Sequence, residues 1–148
     1  MTKDVLVTIG GLQMAPDDDS DTVEVIAPGE YYFRNSKHYL LYEDVADGEV
    51  TKNIIKIGDK SLEVVRKGPA SVHMVFEEGK KNMTYYSTPF GSIPVAFNAK
   101  EVSVDEDEEV IKCNVKYSLE INYEHAADCD IHIEARQKGS KGFKIASA

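Results

Sequence analysis

From Ile111 to Tyr123 the chain alternates without a break. Ile111, Cys113, Val115, Tyr117, Leu119, Ile121 and Tyr123 hold the odd positions, and Lys112, Asn114, Lys116, Ser118, Glu120 and Asn122 the even ones. Successive side chains of a strand point to opposite faces, so the pattern describes one dry face and one wet face. Wound into a helix, the same residues would scatter around the whole circumference. The alternation returns with Cys129, Ile131, Ile133 and Ala135 set against Asp130, His132, Glu134 and Arg136. The short polar stretch Glu124 to Asp128 then reads as the link of a hairpin.

The rest of the chain repeats the pattern in shorter pieces. Val5, Val7 and Ile9 make a first strand that meets Gly10-Gly11, a pair that signals a bulge or sharp bend. An acidic loop follows from Met14 to Asp21. Thr22 to Ile26 reads as a short strand stopped by Pro28-Gly29. Glu30 to Arg34 and His38 to Val45 flank the turn Asn35-Ser36-Lys37. Asp47-Gly48, Gly58-Asp59, Gly79-Lys80 and Pro89-Phe90-Gly91 punctuate the strands that come after. Ser92 to Ala99 and Glu101 to Val104 precede a second acidic run, Asp105 to Glu109. No helical period lasts beyond a turn or two. About ten short strands joined by tight turns predict an all-β fold, a closed antiparallel β-barrel of about 8–10 strands. Closure removes exposed strand edges, which favours a barrel over an open sheet. The reading gives one domain over residues 1–138 and a flexible basic tail over 139–148.

Charge narrows the function classes. The 148 residues carry a formal net charge of −9. An acidic surface repels phosphate backbones and anionic lipid, so neither nucleic acid nor membrane is an expected partner. The N-terminus lacks the basic and apolar regions of a signal peptide, and no run of about 18 apolar residues occurs. The expectation is a cytoplasmic protein. Cys113 and Cys129 fall on inward faces of adjacent strands. A simple hairpin places them roughly 30 Å apart along the sheet, too far to bridge. They are expected to be buried thiols that pack as small hydrophobes.

Sites of known chemistry are hard to find. His38, His73, His125 and His132 show no ligand spacing, and neither Cys-x-x-Cys nor His-Glu-x-x-His occurs. His125 with Asp128, Cys129 and Asp130 is a local cluster that reads as a solvated turn. Asp17, Asp19 and Asp21 mimic the start of a calcium loop, but Thr22 stands where glycine belongs and Pro28 where the final glutamate belongs. There is no nucleophile elbow and no phosphate-cradling loop. The reading assigns no catalytic residue, no metal and no cofactor.

The informative residues are polar ones on faces that read as buried. Arg66 shares a face with Leu62 and Val64. Tyr117 and Tyr123 share one with Leu119 and Ile121. Glu43 falls in phase with Tyr39, Leu41 and Val45. An inward charge must be paired, solvated or used. On the sharper reading Arg66, Tyr42, Glu43, Tyr117 and Tyr123 line a cavity for a small anionic or amphipathic ligand. On the plainer one Arg66 pairs with Glu43 or Glu63 at the rim of a packed barrel. The protein is then an interaction module using outward tyrosines Tyr31, Tyr32, Tyr85 and Tyr86. No pattern indicates or excludes a homodimer.

One ordered set of segments is familiar. Gly29-Glu30-Tyr31-Tyr32 precedes His38-Tyr39-Leu40-Leu41-Tyr42-Glu43 and Thr51-Lys52-Asn53-Ile54-Ile55-Lys56-Ile57. Val65-Arg66-Lys67-Gly68, Met74-Val75-Phe76-Glu77-Glu78-Gly79, Tyr86-Ser87-Thr88-Pro89-Phe90-Gly91 and Tyr117-Ser118-Leu119 follow. Together, from about Lys3 to Arg136, they resemble the YwiB-like family, small bacterial proteins of unknown function. The resemblance implies a lipocalin-like (calycin-type) β-barrel and no catalytic residues.

Overall fold

A computed structural model describes residues 3–10, 24–46, 48–107 and 109–137. The acidic loop expected at Met14 to Asp21, Gly11 and the tail from Gly139 lie outside the described residues. Ten strands follow one another: β1 (Lys3–Gly10), β2 (Glu24–Arg34), β3 (Lys37–Ala46), β4 (Glu49–Ile57), β5 (Ser61–Lys67), β6 (Val72–Glu77), β7 (Lys81–Thr88), β8 (Gly91–Glu106), β9 (Val110–Ile121) and β10 (Glu124–Gln137). They form one antiparallel sheet in the order β6-β5-β4-β3-β2-β1-β10-β9-β8-β7. Pairing of β1 with β10 curls the sheet round, with Val7 opposite Ala135 and Ile9 opposite Ile133. The two ends of the sheet, β6 and β7, meet through one bridge, where Ser71 and Ser87 exchange backbone hydrogen bonds of 2.8 and 2.9 Å. The result is the expected barrel, closed but for this seam.

Period two sets what fills it. Val5, Val7 and Ile9 of β1 face inward with Ile111, Cys113, Val115, Tyr117 and Leu119 of β9 and Ile131 and Ile133 of β10. In the middle, Phe76, Phe97 and Tyr117 pack with ring centroids 4.8, 5.1 and 5.9 Å apart, tilted by 55–64°. Offset and edge-on rings at these distances are a favourable packing. The centre of the barrel is therefore filled by side chains.

Several boundaries differ from expectation, among them Ser92 to Ala99 and Glu101 to Val104, which join in the single strand β8. Pro28-Gly29 does not stop a strand; β2 runs through it. Ladder pairing of β2 with β3 begins only at Gly29, so Pro28 sits where one side of β2 needs no amide donor. A Cβ on Gly29 would lie 2.7 Å from the Leu41 carbonyl oxygen, which explains the glycine beside it. β9 ends at Ile121, and Asn122 and Tyr123 form the turn with φ of 53° and 70°. Glu124 to Asp128 is already strand, with a bulge between His125 and Ala127. Tight turn and bulge together move the register, so Cys129 lies opposite Tyr117 and Cys113 opposite Ile133. Four residues of strand, about 13 Å, still separate the cysteines, and no disulfide joins them.

Candidate functional site

Toward one end of the barrel the apolar interior gives way to a buried polar cluster. Tyr42 of β3 and Asn53 of β4 are paired in register, as are Asn53 and Arg66 of β5. Asp44 lies two residues beyond Tyr42 on the same face. Its Oδ2 accepts from Asn53 Nδ2 at 3.0 Å and from Arg66 Nη2 at 3.4 Å. Asn53 Nδ2 also donates to the Thr51 carbonyl at 3.3 Å. That leaves Asn53 Oδ1, in a side chain 1% exposed, without a hydrogen-bond partner. Rotating the amide would aim Oδ1 at a carboxylate and a carbonyl, both acceptors, so the network itself fixes the orientation. Burial, and then the Asp44 carboxylate, push the Tyr42 phenol well above its ordinary value, against a smaller opposing effect of Arg66. Tyr42 is therefore a neutral phenol here.

The cluster corrects several sequence expectations. Arg66 does face inward, but its partner is Asp44, not Glu43 or Glu63. Glu63 instead bridges to Lys56 and His73. Glu43 is exposed, because the inward face of β3 is the even one, His38, Leu40, Tyr42 and Asp44. Both faces of β3 carry apolar residues, Leu40 against Leu41 and Tyr42 against Tyr39, so alternation alone could not choose between them. Tyr117 is 1% exposed in the aromatic centre, and Tyr123 is 69% exposed in the β9–β10 turn. Arg66 and Tyr42 thus meet, while Glu43, Tyr117 and Tyr123 sit elsewhere. The sequence pattern does not single out Asp44, whereas Asn53 is legible as the polar residue in phase with Ile55 and Ile57.

About 20 Å along β3, toward the other end, His38 sits 7% exposed among polar neighbours. Its Nδ1 is 2.9 Å from the Tyr31 hydroxyl and its Nε2 is 3.1 Å from Glu106 Oε2. The tautomer with its proton on Nε2 satisfies both contacts, with Tyr31 donating to Nδ1. Burial, then Glu106, raise the Tyr31 phenol. Tyr31 therefore turns toward the core, as does Tyr86, while Tyr32 stacks on Tyr39 outside at 4.7 Å and Tyr85 is exposed. A small cavity of about 80 Å³ beside Tyr31 and Glu106 has room for little more than solvent.

The roomier concavity is outside the barrel. A groove of about 760 Å³ crosses β2, β3 and β4, lined by Pro28 to Glu30, Leu41 to Glu43 and Lys52 to Ile54, with Asp4 and Val45. Tyr42 and Asn53 bury their side chains inside, so the groove is faced by their outward neighbours. Leu41 is paired with Ile54, and Ile54 with Val65, giving an apolar row across three strands. On the same outward face Ile26 is 60%, Val45 70% and Val50 46% exposed. Such volumes fall in the range of small-molecule and peptide pockets.

Residues 7–133 match the family described as a domain of unknown function, DUF1934. The chain belongs to the DUF1934 family. A curated relative, the uncharacterized beta-barrel protein YwiB of Bacillus subtilis (strain 168), is 25% identical over 125 residues, covering 84% of this chain and 88% of YwiB. The crystal structure of the ywiB protein from Bacillus subtilis superposes with a TM-score of 0.77 at 21% identity, covering 92% of each chain. The likeness to YwiB read from the sequence therefore holds. The nearly closed all-β barrel is the architecture of a DUF1934 protein, and the family carries no assigned activity.

Proposed function

We propose that this DUF1934 protein is an interaction module that holds a partner on the outer face of β2, β3 and β4. The observation that supports it is an exposed apolar groove on the outside of a barrel whose centre is filled. Monomeric proteins seldom leave contiguous apolar surface uncovered, and such patches mark docking sites. The groove also lies on strands with intact ladders on both sides, so it is preformed and loses little freedom on binding. The outward positions Asn114 and Lys116 of β9 are polar, the reverse of a membrane barrel's lipid-facing band. Among the described residues no helix is long and apolar enough to cross a membrane. These features suit a cytoplasmic protein, and the acidic surface disfavours nucleic acid as the partner. A photo-crosslinking residue placed at Leu41 or Ile54 tests the reading in the native cell. Adducts at both sites, absent from a Lys116 control and lost when Val45 and Val50 are changed to Asp, support it. Equal labelling at Lys116, or none at the groove, refutes it.

A second reading rests on Asn53. Its buried, unpartnered acceptor lies beside Arg66 and Asp44, whose side chains are each 24% exposed. A small ligand offering a hydrogen-bond donor suits this end of the barrel better than a simple anion, because Asp44 already neutralises Arg66. Native mass spectrometry of the protein from its own cells tests this. A small-molecule adduct lost in Asn53→Leu supports it, and a bare protein mass removes it.

A further inference from the structure

We infer that the segment docked in the β2–β4 groove is a polypeptide carrying Lys or Arg next to apolar side chains. The inference rests on the docking reading above and names the chemistry of the partner. Three carboxylates, Asp4, Glu30 and Glu43, surround the apolar floor of Leu41 and Ile54, against one ammonium, Lys52. Among the described residues none of these three carboxylates has an ion-pair partner. Several carboxylates elsewhere on the barrel are paired. Glu63 meets Lys56, Glu77 meets Lys80, Glu120 meets Lys81, and Glu134 meets Arg136. Even Lys52, opposite Glu43 in the ladder, makes no ion pair with it. Asp4, Glu30 and Glu43 thus stand uncompensated around the exposed apolar floor of the groove.

That combination selects the occupant. Apolar side chains are needed to cover Leu41 and Ile54, and cations to meet the rim. A second copy of the chain fits poorly, because a two-fold contact lays the same patch on itself and faces carboxylate with carboxylate. The net charge of −9 adds repulsion at longer range. A polyamine would satisfy the rim and leave the floor uncovered.

The test uses the full chain and three dodecapeptides that share the same Leu and Phe positions. The remaining positions are all Lys, all Ser or all Glu. Binding is followed by anisotropy of a fluorescein label and by methyl NMR of Leu41 and Ile54, with spermine as a further probe. The Lys peptide is expected to bind at least tenfold more tightly than the Ser peptide in low salt and to shift both methyl signals. The preference is expected to shrink as salt rises, and to fall at least tenfold in the E30K/E43K variant. Spermine should leave the two methyl signals in place. Equal binding of the Lys and Ser peptides at the groove overturns the cationic partner while leaving docking intact. If no peptide moves Leu41 or Ile54, docking itself fails. Self-association that shifts the same methyls transfers the face to a second copy and overturns the inference.

Discussion

Asn53 is held in place by what it donates, and what it accepts is missing. Its amide hydrogens satisfy Asp44 and the Thr51 carbonyl, so the side chain ties β4 to the end of β3. Replacing it with Ala leaves a buried carbonyl and a carboxylate oxygen short of donors. Such losses cost about 1–3 kcal/mol, and the urea midpoint should fall accordingly. Asn53→Asp should be worse than Ala at neutral pH, because it sets a second carboxylate against Asp44 in a low-dielectric site. An Asp variant as stable as the Ala variant would show that Asp44 is not the dominant neighbour. Cys113 makes a second residue-scale case. Burial pushes its thiol up to about 12. Because the thiolate is the reactive form, the native protein should be alkylated at Cys113 at least 100-fold more slowly than the urea-unfolded chain at pH 8. Its linkage has a definite sign. The raised native pKa stabilises the fold fully below the unfolded value near 8.5, and that contribution is lost as pH climbs toward 12.

At the scale of elements, turns and bulges decide how strands are registered. Asn122 and Tyr123 both adopt positive φ, a two-residue turn for which Asn-Gly is the favoured pair. Tyr123 is mostly exposed and has little packing to lose. Tyr123→Gly should therefore stabilise the hairpin by up to about 1 kcal/mol, read as a rise in urea midpoint at constant slope. A fall would mean that the exposed ring makes contacts that matter. Gly29→Ala should act the other way. Its Cβ would lie 2.7 Å from the Leu41 carbonyl and 3.0 Å from Val7 Cγ2, so β2 and β3 must part, at a cost of about 1–3 kcal/mol in the same assay. These two sites also show where the sequence was readable. The alternation of Ile111 to Ile121 gave β9 its face and nearly its ends, because a half-buried strand has no other way to hide its apolar residues. Nothing in Asn122-Tyr123 marks a turn as strongly as glycine would, so alternation carries the strand two residues too far and shifts the expected register of Cys129. Pro28-Gly29 failed as a stop signal because ladder pairing of β2 with β3 begins only beyond Pro28. On β3 two apolar faces hid which one was inside, and the candidate site inherited the error through Glu43.

For the molecule as a whole, the seam between β6 and β7 is the place where closure is thinnest. Every other neighbouring pair of strands shares a ladder, whereas these two share the Ser71–Ser87 bridge. Near the β6–β7 turn the backbone bonds cross to β8, where Gly79 N–H donates to the Ala99 carbonyl and Ala99 N–H to the Lys80 carbonyl. Between those points a cavity of about 120 Å³ lies beside His73, Val75 and Thr84 and reaches Phe97 of the aromatic centre. Backbone amides with few partners open at a small fraction of the global unfolding free energy. Native-state hydrogen exchange should therefore find the fastest strand amides in β6 and β7 and the slowest in β9 and β10, where ladders run on both sides. Protection in β6 and β7 equal to that in β9 would mean the barrel opens only by global unfolding. The groove lies on the opposite part of the sheet order, in β2, β3 and β4, and should share the slow exchange of the ladders that flank it. A partner bound there meets a rigid wall, so its binding should leave exchange at the β6–β7 seam unchanged. A seam that slowed on peptide binding would instead couple the two sides of the barrel through Phe76 and Phe97, which pack between them.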